Sequence, residues 1–172
     1  MPNGLPKVYL DTNIFQPLIY DSDTLSDEQF AQRQLEDLRG DVRSDEIEVV
    51  IPKPAIGEVV NNYYEDLAEF GEAEVGTWED FSGDLSRYLE QVDATLCGIN
   101  QGAVSTAKEL VDTDTRLAGT DAVIAACALE DEWSNHLVTE DPDFHETEAI
   151  QAVDQDRQPT PRLFSLNITD NY

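Results

Sequence analysis

Four carboxylates in this chain stand where strand ends and helix starts could bring acids to one crevice: Asp11, Glu58, Asp121 and Asp141. Asp11 directly follows the apolar run Val8-Tyr9-Leu10, and Asp141 follows His136-Leu137-Val138-Thr139-Glu140. Glu58 falls early in a helical pattern, shortly after Lys53, and Asp121 opens the most apolar helical stretch, Ala122 to Leu129. Adjacent strands lie only about 4.8 Å apart, so acids on neighbouring strand ends can share an ion. Two strand ends and two helix starts around one crevice would crowd charges that raise one another's pKa and repel. Hard divalent cations with oxygen-only coordination, Mg²⁺ or Mn²⁺, are the natural occupants of such a site.

Each acid also has a plainer role open to it. Asp11 can cap the following helix through the N–H groups of residues 13 and 14. Asp121 is a first-turn acid of the kind the helix dipole favours. Asp141-Pro142-Asp143 is ordinary turn material, and alternation points only one of its two aspartates, preferably Asp141, into a cleft. Glu58 lies opposite the apolar stripe of its helix with Asn61, Asn62 and Glu65, so periodicity leaves Glu65 as its substitute. Thr139 can orient a carboxylate or a water. His136 and His145 read as incidental polar residues rather than ligands.

The elements that must position these side chains are legible as runs. Val8–Leu10 is a short continuous apolar strand, the kind buried on both faces in a parallel sheet, and Asp11 then sits at its carboxyl end, the edge where α/β sheets bind ligands. Asn13 to Ile19 predicts a short helical turn, and Ser26 to about Gly40 a helix with acids in its first turn. Ile47 to Ile51 reads as a second strand closed by Pro52. Pro54 starts a helix with Ile56, Val59, Val60, Tyr63, Leu67 and Phe70 on its apolar face, ended by Gly71. Val75 to about Leu96 reads as one further helix, burying Trp78, Phe81, Leu85, Tyr88, Leu89 and Val92, and Ala103 to Val111 as a shorter one. Thr120 is the expected cap of a helix from Asp121 to about Glu132, apolar nearly all round and therefore packed on more than one side. His136 to Thr139 is the third strand and Ile150 to Val153 a fourth. Leu163 to Ile168 is apolar without a clear form. The whole predicts one α/β domain over residues 1–172: a helix-rich, three-layer α/β/α sandwich around a short central parallel sheet.

Composition narrows the partners. The chain has 37 acidic residues against 10 basic ones, a formal net charge of −27, and its lysines are Lys7, Lys53 and Lys108 alone. An excess of this size opposes a compact fold unless salt screens it, and acidic, lysine-poor surfaces suit a saturated-salt cytoplasm. It also argues against capturing nucleic acid with a basic footprint. A metal-centred site escapes that objection, because cations bridge carboxylates to phosphates. Cys97 and Cys127 are far apart in sequence, with no CxxC spacing, so neither a zinc site nor a disulfide framework is indicated. No run is long enough to span a bilayer, and no signal pattern opens the chain, so a cytoplasmic protein with no membrane partner is expected.

Taken in order, Asp11-Thr12-Asn13 after an apolar strand, Glu58 early in a helix, Asp121 in Thr-Asp-Ala-Val-Ile-Ala-Ala, and Thr139-Glu140-Asp141-Pro142-Asp143-Phe144 resemble the PIN domain family, from Lys7 to Phe144. The toxin ribonucleases of VapBC-type pairs are among its members. The resemblance implies metal-dependent endonucleolytic hydrolysis of RNA. It makes Asp11, Glu58, Asp121 and Asp141 the catalytic acids that hold Mg²⁺ or Mn²⁺, with Thr12, Asn13, Thr139 and Asp143 in support. It also implies an RNA substrate, a cognate antitoxin protein if the chain is a toxin, a homodimer, and, given the charge, a halophilic archaeal source. The stretches 21–43 and 71–114 are longer than in compact toxin members, which leaves maturation nuclease and other PIN roles open. The rival is a non-catalytic PIN-like module that binds nucleic acid or protein. A phosphatase of the haloacid dehalogenase type fits less well, since Asn13 stands where that chemistry wants a second acid.

Overall fold

The computed structural model describes residues 4–20, 25–113, 116–131, 134–146 and 167–169. Among them the sheet has five strands: β1 (Lys7–Leu10), β2 (Glu48–Pro52), β3 (Thr95–Cys97), β4 (Ser134–Val138) and β5 (Asn167–Thr169). They run in the order β3-β2-β1-β4-β5, and every pairing is parallel. The central strand has Val8, Tyr9 and Leu10 buried, as a strand covered on both faces must. Val49, Val50, Ile51, Leu137 and Val138 continue that core. Burying an aliphatic side chain of this size is worth about 1.5–3 kcal/mol, so these short strands are held mainly by what covers them.

The covering helices are α1 (Thr12–Phe15), α2 (Leu25–Arg43), α3 (Lys53–Phe70), α4 (Glu72–Val75), α5 (Trp78–Gln91), α6 (Gln101–Thr113), α7 (Thr120–Glu130) and α8 (Pro142–Glu146), giving a helix-rich α/β/α arrangement. Pro17 follows α1 inside a single 3-10 turn, Gln16–Leu18. The apolar helix α7 buries Ala122 and Ile124 through Leu129, and packs against α3, α6 and β4. No described helix is long and apolar enough to cross a membrane.

Several sequence expectations need correction. Val75 to Leu96 is not one helix. Gly76, at φ 91°, ends α4, the Thr77 side chain caps α5 through the Asp80 N–H, and Asp93 at φ 47° turns the chain into β3. Only glycine adopts the Gly76 conformation cheaply. The strand escaped notice because it is a short edge strand with Thr95 and Leu96 exposed, so it carries no alternation. Trp78, read as buried, is about half exposed, and so is Phe70 at the end of the apolar face of α3. Thr120 does not cap α7: Gly119 holds that position, at φ 57°, with no side-chain cap bond. The chain resumes as β5 within and just beyond the apolar stretch 163–168, whereas the strand expected at 150–153 lies outside the described residues. The two cysteines, both free, are neighbours in space, Cys97 on β3 and Cys127 on α7.

Candidate metal-binding active site

The pairing of β1 with β4 fixes the centre of the site. Leu10 lies opposite Val138, and the Asp11 N–H donates to the Val138 carbonyl at 3.0 Å, so Asp11 and Thr139 leave the sheet side by side. The Asp11 carboxylate is only 3% exposed. Its Oδ1 accepts the Thr12 N–H at 2.7 Å, and its Oδ2 accepts the Thr139 hydroxyl at 2.7 Å and the Asn13 amide at 3.2 Å. Asp11 thus caps α1 through the first helical N–H rather than those of residues 13 and 14. Those bonds favour the ionised form, yet burial outweighs them, and Glu58 and Asp141 add repulsion. The Asp11 pKa is pushed up to about 6.

The other three acids face the same space. Glu58, on the first turns of α3, accepts the Thr12 hydroxyl at 3.3 Å, and burial and Asp121 raise its pKa. Asp121, in the first turn of α7, is half-buried and pushed up to about 6, by burial and then by Asp11, Asp141 and Asp143. Asp141 is set by its own backbone, whose N–H donates to the Thr139 hydroxyl at 3.0 Å, while its Oδ1 accepts the Asp143 N–H at 2.9 Å. Asn13 ties the two loops together: its Oδ1 accepts the Glu140 N–H at 3.1 Å. The result is a crevice of about 280 Å³ lined by these four acids together with Thr12, Asn13, Gln16, Pro17, Asn62 and Glu140.

Of the eight residues named from the sequence, Asp11, Glu58, Asp121, Asp141, Thr12 and Asn13 line this crevice. Thr139 is fully buried behind Asp11 and orients it, and Asp143 acts on the site through its backbone N–H to Asp141 and as a nearby charge. Glu65 is not part of it; it is exposed and accepts the Asn61 amide. The histidine side chains lie outside the described residues. Gln16 and Glu140 also line the crevice without having been singled out from the sequence. Asn62, placed from the sequence on the polar face of Glu58 but given no role, lines it too, one helical turn beyond Glu58.

None of the lining residues is Lys or Arg, so nothing in the wall offsets the five carboxylates. Among the described residues no group of three or more His, Cys, Asp or Glu side chains is arranged to hold a metal ion by itself. That excludes a closed all-protein cage, not Mg²⁺, which keeps several waters and takes one or two carboxylates directly. The all-oxygen donor set, the raised acids and the missing cationic side chain fit a hydrated divalent ion.

A search of curated proteins found no match to the chain. A family model described as PIN domain matches residues 8–150, the span that carries all four acids. PIN domains are usually nucleases that use divalent metals. The parallel sheet, its helical cover and this match agree: the chain belongs to the PIN domain family.

Proposed function

We propose that this protein is a divalent-metal-dependent endoribonuclease, with Asp11, Glu58, Asp121 and Asp141 as its metal-holding catalytic acids. The observation that carries the reading is the meeting of those four carboxylates in one crevice with no cationic side chain in its wall. A scaffold gains nothing from such crowding, which speaks against a purely non-catalytic interaction module. Membership of a nuclease-type family supports the same conclusion.

Asp11, Glu58, Asp121 and Asp141 would hold a divalent ion such as Mg²⁺ or Mn²⁺, which would supply Lewis acidity and a means of lowering the pKa of water. The chain's own task is positioning. Thr139 and Asn13 hold the Asp11 Oδ2 and the loop that carries Asp141, the Thr12 N–H holds the Asp11 Oδ1, and the Thr12 hydroxyl holds Glu58 toward the same point. Asp121, which makes no hydrogen bond to these groups, is free to meet a cation or a water from the α7 side.

The surface charge supports a salt-rich cytoplasm, where screening lets an acidic protein approach RNA. Within the family's repertoire a toxin partnered by an antitoxin protein, as a monomer or homodimer, is the specific role we favour. The test is incubation of wild-type protein and Asp11→Asn with mixed RNAs in high salt, with and without Mn²⁺. Cleavage by wild type only with the metal, and none by the variant, is the expected result. Equal cutting by both proteins would falsify the assignment.

A further inference from the structure

One wall of the crevice is neutral. Gln16, in the turn after α1, and Asn62, on α3, face it from beside the acids. The Asn62 Nδ2 donates to the Gln16 Oε1 at 2.8 Å, the Gln16 Nε2 donates to the Tyr20 hydroxyl at 3.1 Å, and that hydroxyl donates to the Asp66 carboxylate at 2.9 Å. An ionised carboxylate only accepts, so Asp66 sets the direction of the whole chain of bonds. Burial and the Asp66 charge push the Tyr20 phenol upward, which keeps it a donor. Both amides are therefore fixed in orientation. Among the described residues the Asn62 Oδ1 receives no hydrogen bond, and one Asn62 N–H is left over as well.

An acceptor beside a donor suits a hydroxyl, which gives one proton and takes another. It suits a phosphate less, because a phosphate oxygen only accepts and would meet the Asn62 Oδ1 with repulsion. Thr12 and Asn13 offer no such pair: the one Thr12 hydroxyl proton goes to Glu58 and the Ala55 carbonyl, and the Asn13 amide donates to Asp11 and Thr139. Asn62 also stands one turn from Glu58 on α3, about 6 Å along the helix, which is within a nucleotide of a phosphate held at the acids. We infer that Asn62, clamped by Gln16, pairs with a ribose 2′-hydroxyl and so selects RNA over DNA; this rests on the nuclease reading of the same crevice. The 2′-hydroxyl, donor and acceptor at once, is the group that separates the two nucleic acids.

The test is fluorescence anisotropy with one 5′-fluorescein dodecamer made as RNA, as DNA and as 2′-O-methyl RNA, in high salt with Ca²⁺ as the divalent ion. Wild type is expected to bind RNA about tenfold more tightly than DNA, as one or two hydrogen bonds allow. The 2′-O-methyl strand, which lacks the proton, should bind like DNA. Asn62→Leu removes the preference. Retention of the preference in Asn62→Leu, equal weakening of RNA and DNA, or no preference in wild type each overturns the inference. Should Asn62→Leu fail to fold, Tyr20→Phe removes the anchor of the same chain; a severalfold loss of preference supports the inference and an unchanged one overturns it. A gel of the same RNA with Mn²⁺ separates the two ideas. Preference without cleavage leaves the recognition standing and removes the nuclease reading, and cleavage without preference does the reverse.

Discussion

The Thr139 hydroxyl donates to Asp11 and receives the Asp141 N–H and, at 3.4 Å, the Asn13 amide. Thr139→Val keeps the shape and strands those partners, so a loss of about 1–3 kcal/mol is expected in denaturant unfolding. Because that hydroxyl favours ionised Asp11, the variant's Asp11 should titrate still higher, readable by carboxylate NMR. Asp121 behaves oppositely. Its native pKa lies above the unfolded value, so the native state binds the extra proton and stability from this group falls as pH rises from about 4 through about 6. Asp121→Asn should therefore abolish Mn²⁺-dependent cleavage yet stabilise the metal-free protein. The gain should be smallest below about pH 4 and reach about 1 kcal/mol at about pH 8, after allowance for the exposed half of the side chain. A melting series against pH in chelator checks it, and a variant less stable than wild type at every pH would remove the repulsion argument.

At the scale of elements, Gly119 decides where Asp121 points. It holds φ 57° and ψ −126° at the start of α7, a backbone region that side chains with a Cβ avoid. A Cβ there meets no atom within 4 Å, so any cost of Gly119→Ala is conformational rather than steric. We expect a loss of about 1–3 kcal/mol in thermal unfolding, with cleavage reduced further as α7 re-enters at a different angle. Normal stability with normal activity would mean that the turn does not set the first-turn acid. The α3 helix carries a second device of this kind: Glu58 and Asn62 share one face, while Tyr63, on another, is buried against Phe81 and donates its hydroxyl to the Gly76 carbonyl. That packing fixes the rotation of α3 and hence which of its polar residues meet the crevice.

Over the whole molecule the net charge of −27 sets the response to salt. Screening lengths shrink from about 10 Å at 0.1 M to about 3 Å at 1 M, so self-repulsion fades over that range. The melting temperature should rise by roughly 5–10 °C between low salt and about 2 M KCl. RNA binding should hold steady or tighten over the same range, the reverse of the steep loss that a basic footprint gives. Anisotropy at several KCl concentrations measures the slope, and a strongly negative one would point to a cationic RNA surface instead of the acidic crevice.

The order of apolar runs and acids in the chain was enough to determine a parallel α/β core and the strand-end position of Asp11, because strands buried on both faces are continuous in hydrophobicity and break sharply into polar residues. The buried character of α7 was equally plain, since it lacks a polar stripe. Folding decided what periodicity cannot carry. It chose Glu58 over Glu65, because only the packed rotation of α3 says which polar residues meet the crevice. It revealed β3, an edge strand whose pairing comes from its neighbour β2 rather than from its own pattern. It joined Gln16 to Asn62 and Cys97 to Cys127, since contacts between distant segments exist only once the sheet is closed over by its helices.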